Sequence, residues 1–165
     1  RVVATGHSAG GHLALWLAAR AKLPAASRLA QPQPLAIHAV VGLAAITDIE
    51  VFATAGAHAC GADTVQRLVD LPARGAPAAF ADTSPAVLAV PVRQWLVQGK
   101  EDRLVPAPLW HDYAAAKRRR GETIEFIDIP AAGHFELIAP WTPAWPPIAA
   151  AFRAAFASIG SKSTK

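Results

Sequence analysis

A serine flanked by glycines lies between a strand-like segment and a helix-like segment at the start of the chain. Residues 1–5 read RVVAT, a β-branched run that suits a buried strand, and residues 11–22 place leucine and alanine at helical spacing. The residues between them, 6–10, read GHSAG and fit the pattern G-x-S-x-G. A strand that turns at once into a helix needs small residues at the turn, and the turn holds the serine side chain clear of the backbone. The pattern therefore predicts an α/β fold with Ser8 at the carboxyl end of a strand.

Strand-like and helix-like segments alternate through the rest of the chain. Apolar runs predict strands at residues 35–43, 92–98 and 123–129, and helical patterns occupy residues 106–120 and 143–159. Strands that alternate with helices form a parallel sheet with both faces covered. We therefore predict one domain over residues 1–160, with about four parallel strands flanked by helices, and a polar flexible tail at residues 161–165.

Residues 47–90 differ in composition from the segments around them. They mix glycine, proline and alanine with short polar pieces, and they are long for a plain crossover connection. We interpret this insertion as a small helical cap or lid over the carboxyl ends of the strands, where open α/β sheets place their ligands. A disordered insertion is the alternative.

The charge and composition of the chain exclude several classes of partner. The chain has 165 residues, a formal net charge of +4 and a single cysteine, Cys60. Its densest basic run, residues 117–120, precedes Gly121 at a predicted helix end, where cations suit the helix dipole. We expect no nucleic-acid partner and no intrachain disulfide. Proline, histidine and charged residues interrupt the apolar stretches, so we also expect no membrane span. These features do not identify a compartment, although the cytoplasm is slightly favoured.

Two later side chains could activate Ser8. A serine hydroxyl is a poor nucleophile unless a base takes its proton and a third group orients that base. Asp102 comes just after the third predicted strand, and His134 comes just after the fourth. The carboxyl ends of parallel strands meet at one edge of a sheet, and the order Ser, Asp, His along the chain is the one found with this kind of turn. The sequence therefore predicts that the three side chains converge.

Three segments of the chain together resemble the α/β-hydrolase superfamily. They are residues 6–12 (GHSAGGH), Gly99 with Asp102 and the following Val105-Pro106, and residues 133–140 (GHFELIAP). The last segment and the region of Trp145 are similar to the small esterase, lipase and kynurenine-formamidase-like branch. The resemblance implies a hydrolase of small-molecule carboxylic esters or aryl formamides that works through an acyl-enzyme, with no metal and no organic cofactor.

The resemblance also implies a role for each matching residue. Ser8 would attack the substrate carbonyl, and His134 would serve as general base and then as general acid. Asp102 would orient His134 and stabilise its cation. The backbone N–H of Ala9 would supply one donor of the oxyanion hole.

Two other carboxylates could take the place of Asp102. Glu101 is its neighbour in sequence, and Asp48 follows the second predicted strand, where some members of this fold carry the acid. The family pattern puts the acid two residues ahead of Leu104 and three ahead of Val105, which favours Asp102.

The other histidines have structural interpretations. His7 and His12 flank the turn, and we expect them to point away from Ser8 and either to shape the pocket or to contact the reacting residues from behind. His38 is predicted to be a core histidine, His58 could touch the substrate from the cap, and His111 is expected at the surface of a helix. The spacing of the six histidines fits no metal-binding motif, so we predict no metal site.

Aromatic residues could form an apolar pocket wall, although such residues are more often part of a core. The candidates are Phe80, Trp110, Phe135, Trp141 and Trp145.

The resemblance begins part of the way through the superfamily's fold. Its members have several strands ahead of the serine turn, and a His-Gly-Gly-type loop among them donates the second oxyanion N–H. We therefore expect this chain to be the carboxyl-terminal portion of the fold, with the strand before Ser8 exposed at a sheet edge. Two hypotheses follow: the chain is a weak or inactive fragment or binding module, and its exposed strand supports self-association.

Overall fold

A four-stranded parallel sheet organises the chain. The computed structural model describes residues 1–55, 57–105 and 107–160. The strands are β1 (Val3–His7), β2 (Ala39–Leu43), β3 (Arg93–Gly99) and β4 (Ile124–Ile129), and they lie side by side in the order β1-β2-β3-β4. All neighbouring pairs are parallel, so the carboxyl ends of the strands meet at one edge. This confirms the predicted sheet, and β1 is an edge strand of the sheet formed by the described residues.

Helices cover both faces of the sheet. They are α1 (Ala9–Ala19), α2 (Ile49–Ala55), α3 (Ala57–Cys60), α4 (Thr64–Leu68), α5 (Leu71–Arg74), α6 (Ala78–Ala81), α7 (Ala107–Arg119) and α8 (Trp145–Gly160), with short 3-10 helices at Arg20–Lys22 and Glu136–Ile138. Residues of α1 and α7 share one apolar cluster with Val40, and residues of α8 share a second cluster with Val41. Both valines are fully buried. Successive strand residues point to opposite faces, so this two-sided covering explains why β2 is apolar throughout. No helix in the described ranges is long and apolar enough to cross a bilayer.

In the residues that the structure describes, the predicted cap segment contains five short helices, α2 to α6. They surround a third apolar cluster, which includes Phe52, Val65 and Phe80 and which Trp110 of α7 joins. Burying a large apolar side chain stabilises a fold by about 1.5–3 kcal/mol, so this cluster can hold such short helices in place. The segment is therefore helical as interpreted from the sequence, and its role as a lid stays a prediction.

The boundaries of several predicted elements are wrong. The first strand covers residues 3–7 instead of 1–5, and α1 begins at Ala9, inside the GHSAG segment. The predicted helices 106–120 and 143–159 correspond to α7 and α8, while Pro106 and residues 161–165 lie outside the described residues.

The largest boundary error concerns the second strand, predicted at residues 35–43. This strand, β2, begins only at Ala39, because its pairing with β1 starts at Val3 and its pairing with β3 starts at Arg93. Leu35 is 69% exposed. His38 is also exposed, and its Nδ1 accepts a hydrogen bond from the Val2 N–H at 3.1 Å, so its prediction as a core histidine is wrong.

We expect Gly6→Ala to destabilise the fold strongly. A Cβ atom at Gly6 would overlap the backbone carbonyl of Gly10, because the start of α1 crosses directly over the end of β1. Overpacking of this kind lowers the free energy of unfolding by about 1–3 kcal/mol or more. Gly10→Ala is the matched control, since a Cβ there meets no atom within 4 Å and alanine favours a helix by about 0.5–1 kcal/mol. Urea unfolding followed by circular dichroism measures both, and equal stabilities would contradict the close crossing.

Candidate active site

Ser8 occupies the turn between β1 and α1 in a strained backbone conformation. Its φ is 55° and its ψ is −120°, a combination that costs a residue other than glycine of order 1–3 kcal/mol. Three hydrogen bonds fix its backbone: the Ser8 N–H donates to the Leu43 carbonyl at 2.9 Å, and the Ser8 carbonyl accepts from His12 N–H at 3.0 Å and from Ile46 N–H at 3.3 Å. The serine is therefore pinned to the end of β2 as well as to its own helix. Such retained strain is typical of functional turns.

Asp102 and His134 are in direct contact, as predicted. Their atoms Oδ2 and Nδ1 lie 2.7 Å apart, and both side chains are almost fully buried. A carboxylate can only accept, so it fixes the proton of a neutral His134 on Nδ1 and leaves Nε2 as a basic lone pair. This is the tautomer that general-base catalysis requires.

Three further donors hold the Asp102 carboxylate. Its Oδ1 accepts from the backbone N–H groups of Leu104 at 2.8 Å and Val105 at 3.0 Å, and its Oδ2 accepts from Gln98 Nε2 at 2.8 Å. Burial raises the pKa of Asp102, but the hydrogen bonds from His134, Val105 and Leu104 outweigh it and hold the pKa below its ordinary value of 3.8. Asp102 is therefore ionised at neutral pH.

The loops that carry Asp102 and His134 are joined to each other. Lys100 N–H donates to the Ile129 carbonyl at 3.1 Å, and Glu101 N–H donates to the Ala132 carbonyl at 3.0 Å. A Cβ atom at Gly99 would overlap the Ala132 carbonyl, so glycine is required for this approach. The end of β3 and the turn after β4 thus form one unit.

His7 connects this unit to the serine turn. Its Nε2–H donates to the His134 backbone carbonyl at 2.9 Å, and its ring lies 4.4 Å from the His134 ring between centroids. Burial lowers the pKa of His7, and the nearby His134 lowers it further, against the opposing effect of the hydrogen bond. A neutral His7 is consistent with its role as donor. Phe135, the next residue along the chain, packs edge-on to the His134 ring, with 5.1 Å between the ring centroids.

Asp102 and His134 are in contact, and His7, the residue before Ser8 in the sequence, contacts His134. Within the residues that the structure describes, the Ser8 hydroxyl makes no hydrogen bond to His134. Hydrogen bonds between a nucleophile and its base are often long before substrate binds. Direct activation of Ser8 by His134 therefore stays a prediction.

The backbone N–H of Ala9 is available for a ligand. The first hydrogen bond of α1 runs from His12 N–H to the Ser8 carbonyl, so Ala9 N–H belongs to the group of donors that the helix itself leaves unused. Ala9 is exposed, and the positive end of the α1 dipole lies at this position.

Neither alternative acid contacts His134 in the described residues. Glu101 is exposed. Asp48 Oδ1 accepts from the N–H groups of Glu50 at 3.0 Å and Val51 at 3.2 Å and from the Ser84 hydroxyl at 3.3 Å, so it caps the start of α2. The geometry favours Asp102 as the acid.

The remaining histidines bond to backbone or lie at the surface. His12 is buried, and its Nε2 lies 2.9 Å from the Thr83 carbonyl, while the exposed His58 lies 3.1 Å from the Arg103 carbonyl. His111 is exposed on α7 as expected and packs against Trp110. Within the described ranges, no three His, Cys, Asp or Glu side chains are grouped to hold a metal ion.

The candidate aromatic residues divide between core and surface. Phe80 and Trp110 are buried in the third apolar cluster, whereas Phe135 is 63% and Trp141 85% exposed. Trp145 packs on the second cluster.

Sequence reasoning missed two contacts of the candidate pair. Gln98 is a buried amide near the end of β3, four residues before Asp102, and that polarity was the available signal for a partner of the acid. The packing of His7 on His134 joins residues 127 positions apart, and no local pattern could indicate it.

Comparison with known proteins identifies the fold and the family. A model of the BD-FAE family matches residues 1–111, while the comparison with curated proteins gave no match. An inhibited esterase B from Lactobacillus rhamnosis is similar in structure, with a TM-score of 0.72 and 18% identity over 96% of this chain and 54% of that chain. Est2, a thermophilic esterase from Thermogutta terrifontis, has a TM-score of 0.65 and 18% identity over 99% of this chain and 56% of that chain. A puromycin-hydrolysing peptidase from Mycobacterium tuberculosis has a TM-score of 0.59 and 22% identity over 81% of this chain and 18% of that chain.

These similarities confirm the resemblance to α/β-hydrolases at the level of the fold. The chain spans about half the length of the two esterases and a smaller share of the peptidase. With more than half of its residues matched by the family model, the chain belongs to the BD-FAE family, which is related to the α/β-hydrolases.

Proposed function

We propose that this chain carries the nucleophile, base and acid of a serine hydrolase that cleaves carboxylic esters. The observation that supports this most directly is the buried Asp102–His134 pair, which lies at the same sheet edge as the strained Ser8 turn. The similarity to solved esterases supports an ester as the substrate. The same chemistry would also cleave an aryl formamide.

In the acylation step, Ser8 Oγ attacks the ester carbonyl carbon while His134 Nε2 takes the hydroxyl proton. The Asp102 carboxylate stabilises the imidazolium that forms. Negative charge develops on the former carbonyl oxygen, where Ala9 N–H and the α1 dipole can stabilise it. His134 then gives its proton to the departing alkoxide, the carbon–oxygen bond to the alcohol breaks, and an acyl-Ser8 remains.

Deacylation repeats these steps with water. His134 Nε2 removes a proton from water as the oxygen attacks the acyl-Ser8 carbonyl, and the proton passes to Ser8 Oγ when that bond breaks. The products are a carboxylic acid and the regenerated hydroxyl. Each step needs His134 to stay bonded through Nδ1 to Asp102, as observed.

A catalytically weak chain, or a module that binds without catalysis, is the second candidate. It is favoured by the observation that the chain spans 54% and 56% of the two similar esterase structures. Loss of a single oxyanion donor lowers a rate by about 10²–10³-fold.

A fluorophosphonate distinguishes the two candidates even when turnover is slow. We expect Ser8 Oγ to attack phosphorus and to displace fluoride, leaving one covalent adduct on the peptide that contains Ser8. Peptide mass spectrometry locates the adduct. The labelling rate should fall sharply in His134→Ala, because the base is removed.

Ser84→Ala is the matched control for that experiment. Ser84 is fully buried and its hydroxyl donates to Asp48, so its removal should leave labelling unchanged. Absence of any adduct at Ser8, together with hydrolysis of nitrophenyl acetate no faster than in buffer, would reject the enzymatic proposal for this chain.

A further inference from the structure

An apolar cavity of about 230 Å³ opens directly beside the proposed oxyanion donor. Ala9 forms one wall with Ile46, which follows β2, and the small helices form the other through Phe52 of α2 and Val65 and Leu68 of α4. Leu68 is 65% exposed at its rim. An exposed apolar side chain at the rim of an apolar cavity is typical of a ligand site.

The histidine and threonine side chains that line this cavity already have partners. His12 Nε2 lies 2.9 Å from the Thr83 carbonyl, and the Thr64 hydroxyl donates to the Cys60 carbonyl at 2.5 Å. Burial lowers the pKa of His12, so its ring carries no charge at neutral pH. A ligand group that entered here would meet apolar surface and would find no charged residue among the lining side chains. The cavity therefore selects an apolar group.

Its position decides which half of an ester it can receive. The departing alcohol must lie next to His134, because His134 Nε2 supplies its proton. None of the lining residues comes from the loop that carries His134, whereas Ala9, which would hold the carbonyl oxygen, is one of them. A carbonyl bound at Ala9 with its alcohol toward His134 extends its acyl group away from His134 and into this cavity.

We propose that the cavity beside Ala9 is the acyl pocket and takes an apolar acyl group the size of a short alkyl chain or a single aromatic ring. The inference rests on the proposed function. An engineered apolar cavity of about 150 Å³ accepts benzene, so the available volume suffices. A formamide carries only hydrogen on its carbonyl carbon and would leave the cavity empty. The pocket thus favours esters over aryl formamides.

Cys60 allows the pocket to be blocked in the folded protein. It is exposed, lines the cavity and is the single cysteine of the chain. We expect alkylation of Cys60 by N-phenylmaleimide to lower kcat/KM for nitrophenyl hexanoate by about 10-fold or more, which is the scale of a lost apolar contact. The kcat/KM for nitrophenyl acetate should change by less than about twofold. In Cys60→Ser, the same treatment should change neither rate. Equal loss for both esters, or no loss for either, overturns the assignment.

A binding measurement separates this inference from the proposed chemistry. In Ser8→Ala, which cannot form the acyl-enzyme, nitrophenyl hexanoate should slow the alkylation of Cys60 several-fold more than nitrophenyl acetate does at the same concentration. Protection of this kind supports the pocket even when the wild-type chain hydrolyses no ester. Equal protection by the two esters, or none, overturns the pocket whatever the activity of Ser8.

Discussion

Replacing Ser8 by alanine is expected to stop hydrolysis of nitrophenyl acetate through the acyl-enzyme and to leave at most the residual rate that binding and the oxyanion donor provide. Loss of the nucleophile from a complete triad lowers kcat by about 10⁶-fold, and the measurable loss here is limited only by the activity of the wild-type chain. The reason is that a methyl group at this position cannot form the acyl intermediate, although Asp102 and His134 remain bonded to each other. The release of nitrophenolate, followed under single-turnover and steady-state conditions, measures the hydrolysis rates of wild type and Ser8→Ala.

The folded state should be unaffected by this change. Alanine occupies the position with the same φ of 55° and the same three backbone hydrogen bonds, so Ser8→Ala and wild type should unfold at similar urea concentrations. If Ser8→Ala and the Ser84→Ala control both hydrolyse nitrophenyl acetate at the wild-type rate, the hydrolysis does not use the turn after β1.

Asp102→Asn is expected to lower kcat by about 10⁴-fold. The two backbone N–H groups of Leu104 and Val105 both donate to Oδ1, so the amide oxygen of asparagine will keep that position. Its NH₂ group must then face Nδ1 of His134, where the carboxylate accepted a proton. His134 is forced to accept there and to carry its proton on Nε2, which removes the base. Steady-state kinetics with a nitrophenyl ester measure the loss.

Glu101→Gln provides the control for the charge lost in Asp102→Asn. Glu101 is exposed and adjacent in sequence, so this variant removes the same charge without touching His134, and we expect kcat within about twofold of wild type. A greater loss in Glu101→Gln than in Asp102→Asn would transfer the role of acid to Glu101. The imidazole N–H resonances of His134 report the tautomer independently of turnover.

The sequence predicted the parallel sheet and the contact of Asp102 with His134 because both depend on order along the chain. Alternating strands and helices determine the sheet, and residues just after β3 and β4 must meet at its carboxyl edge. The start of β2 was mispredicted because residues 35–38 are as apolar as a strand, while pairing depends on where β1 and β3 begin. Hydropathy carries no information on that register.

The pocket beside Ala9 and the contacts of His7 could not be predicted for a different reason. Ile46, Phe52 and Val65 are ordinary core residues by their pattern, and the cavity between them is set by how α2, α3 and α4 stack beside α1. His7 was expected to point away from Ser8 and either to shape the pocket or to contact the reacting residues from behind, but its partner was not identified. Its packing on the His134 ring depends on the loop after β4, which must reach past the ends of β3 and β2 to the end of β1.

The backbone bonds between the β3 and β4 turns have a consequence for motion at this edge. Two amide-to-carbonyl bonds tie residues 100 and 101 to residues 129 and 132, whereas the serine turn reaches His134 through the imidazole of His7. We therefore expect the loops of Asp102 and His134 to move together, while the distance from Ser8 to His134 depends in part on the His7 side chain. Because backbone hydrogen bonds also hold the serine turn to the end of β2, a change at His7 should alter the distance from Ser8 to His134 without detaching the turn from the sheet.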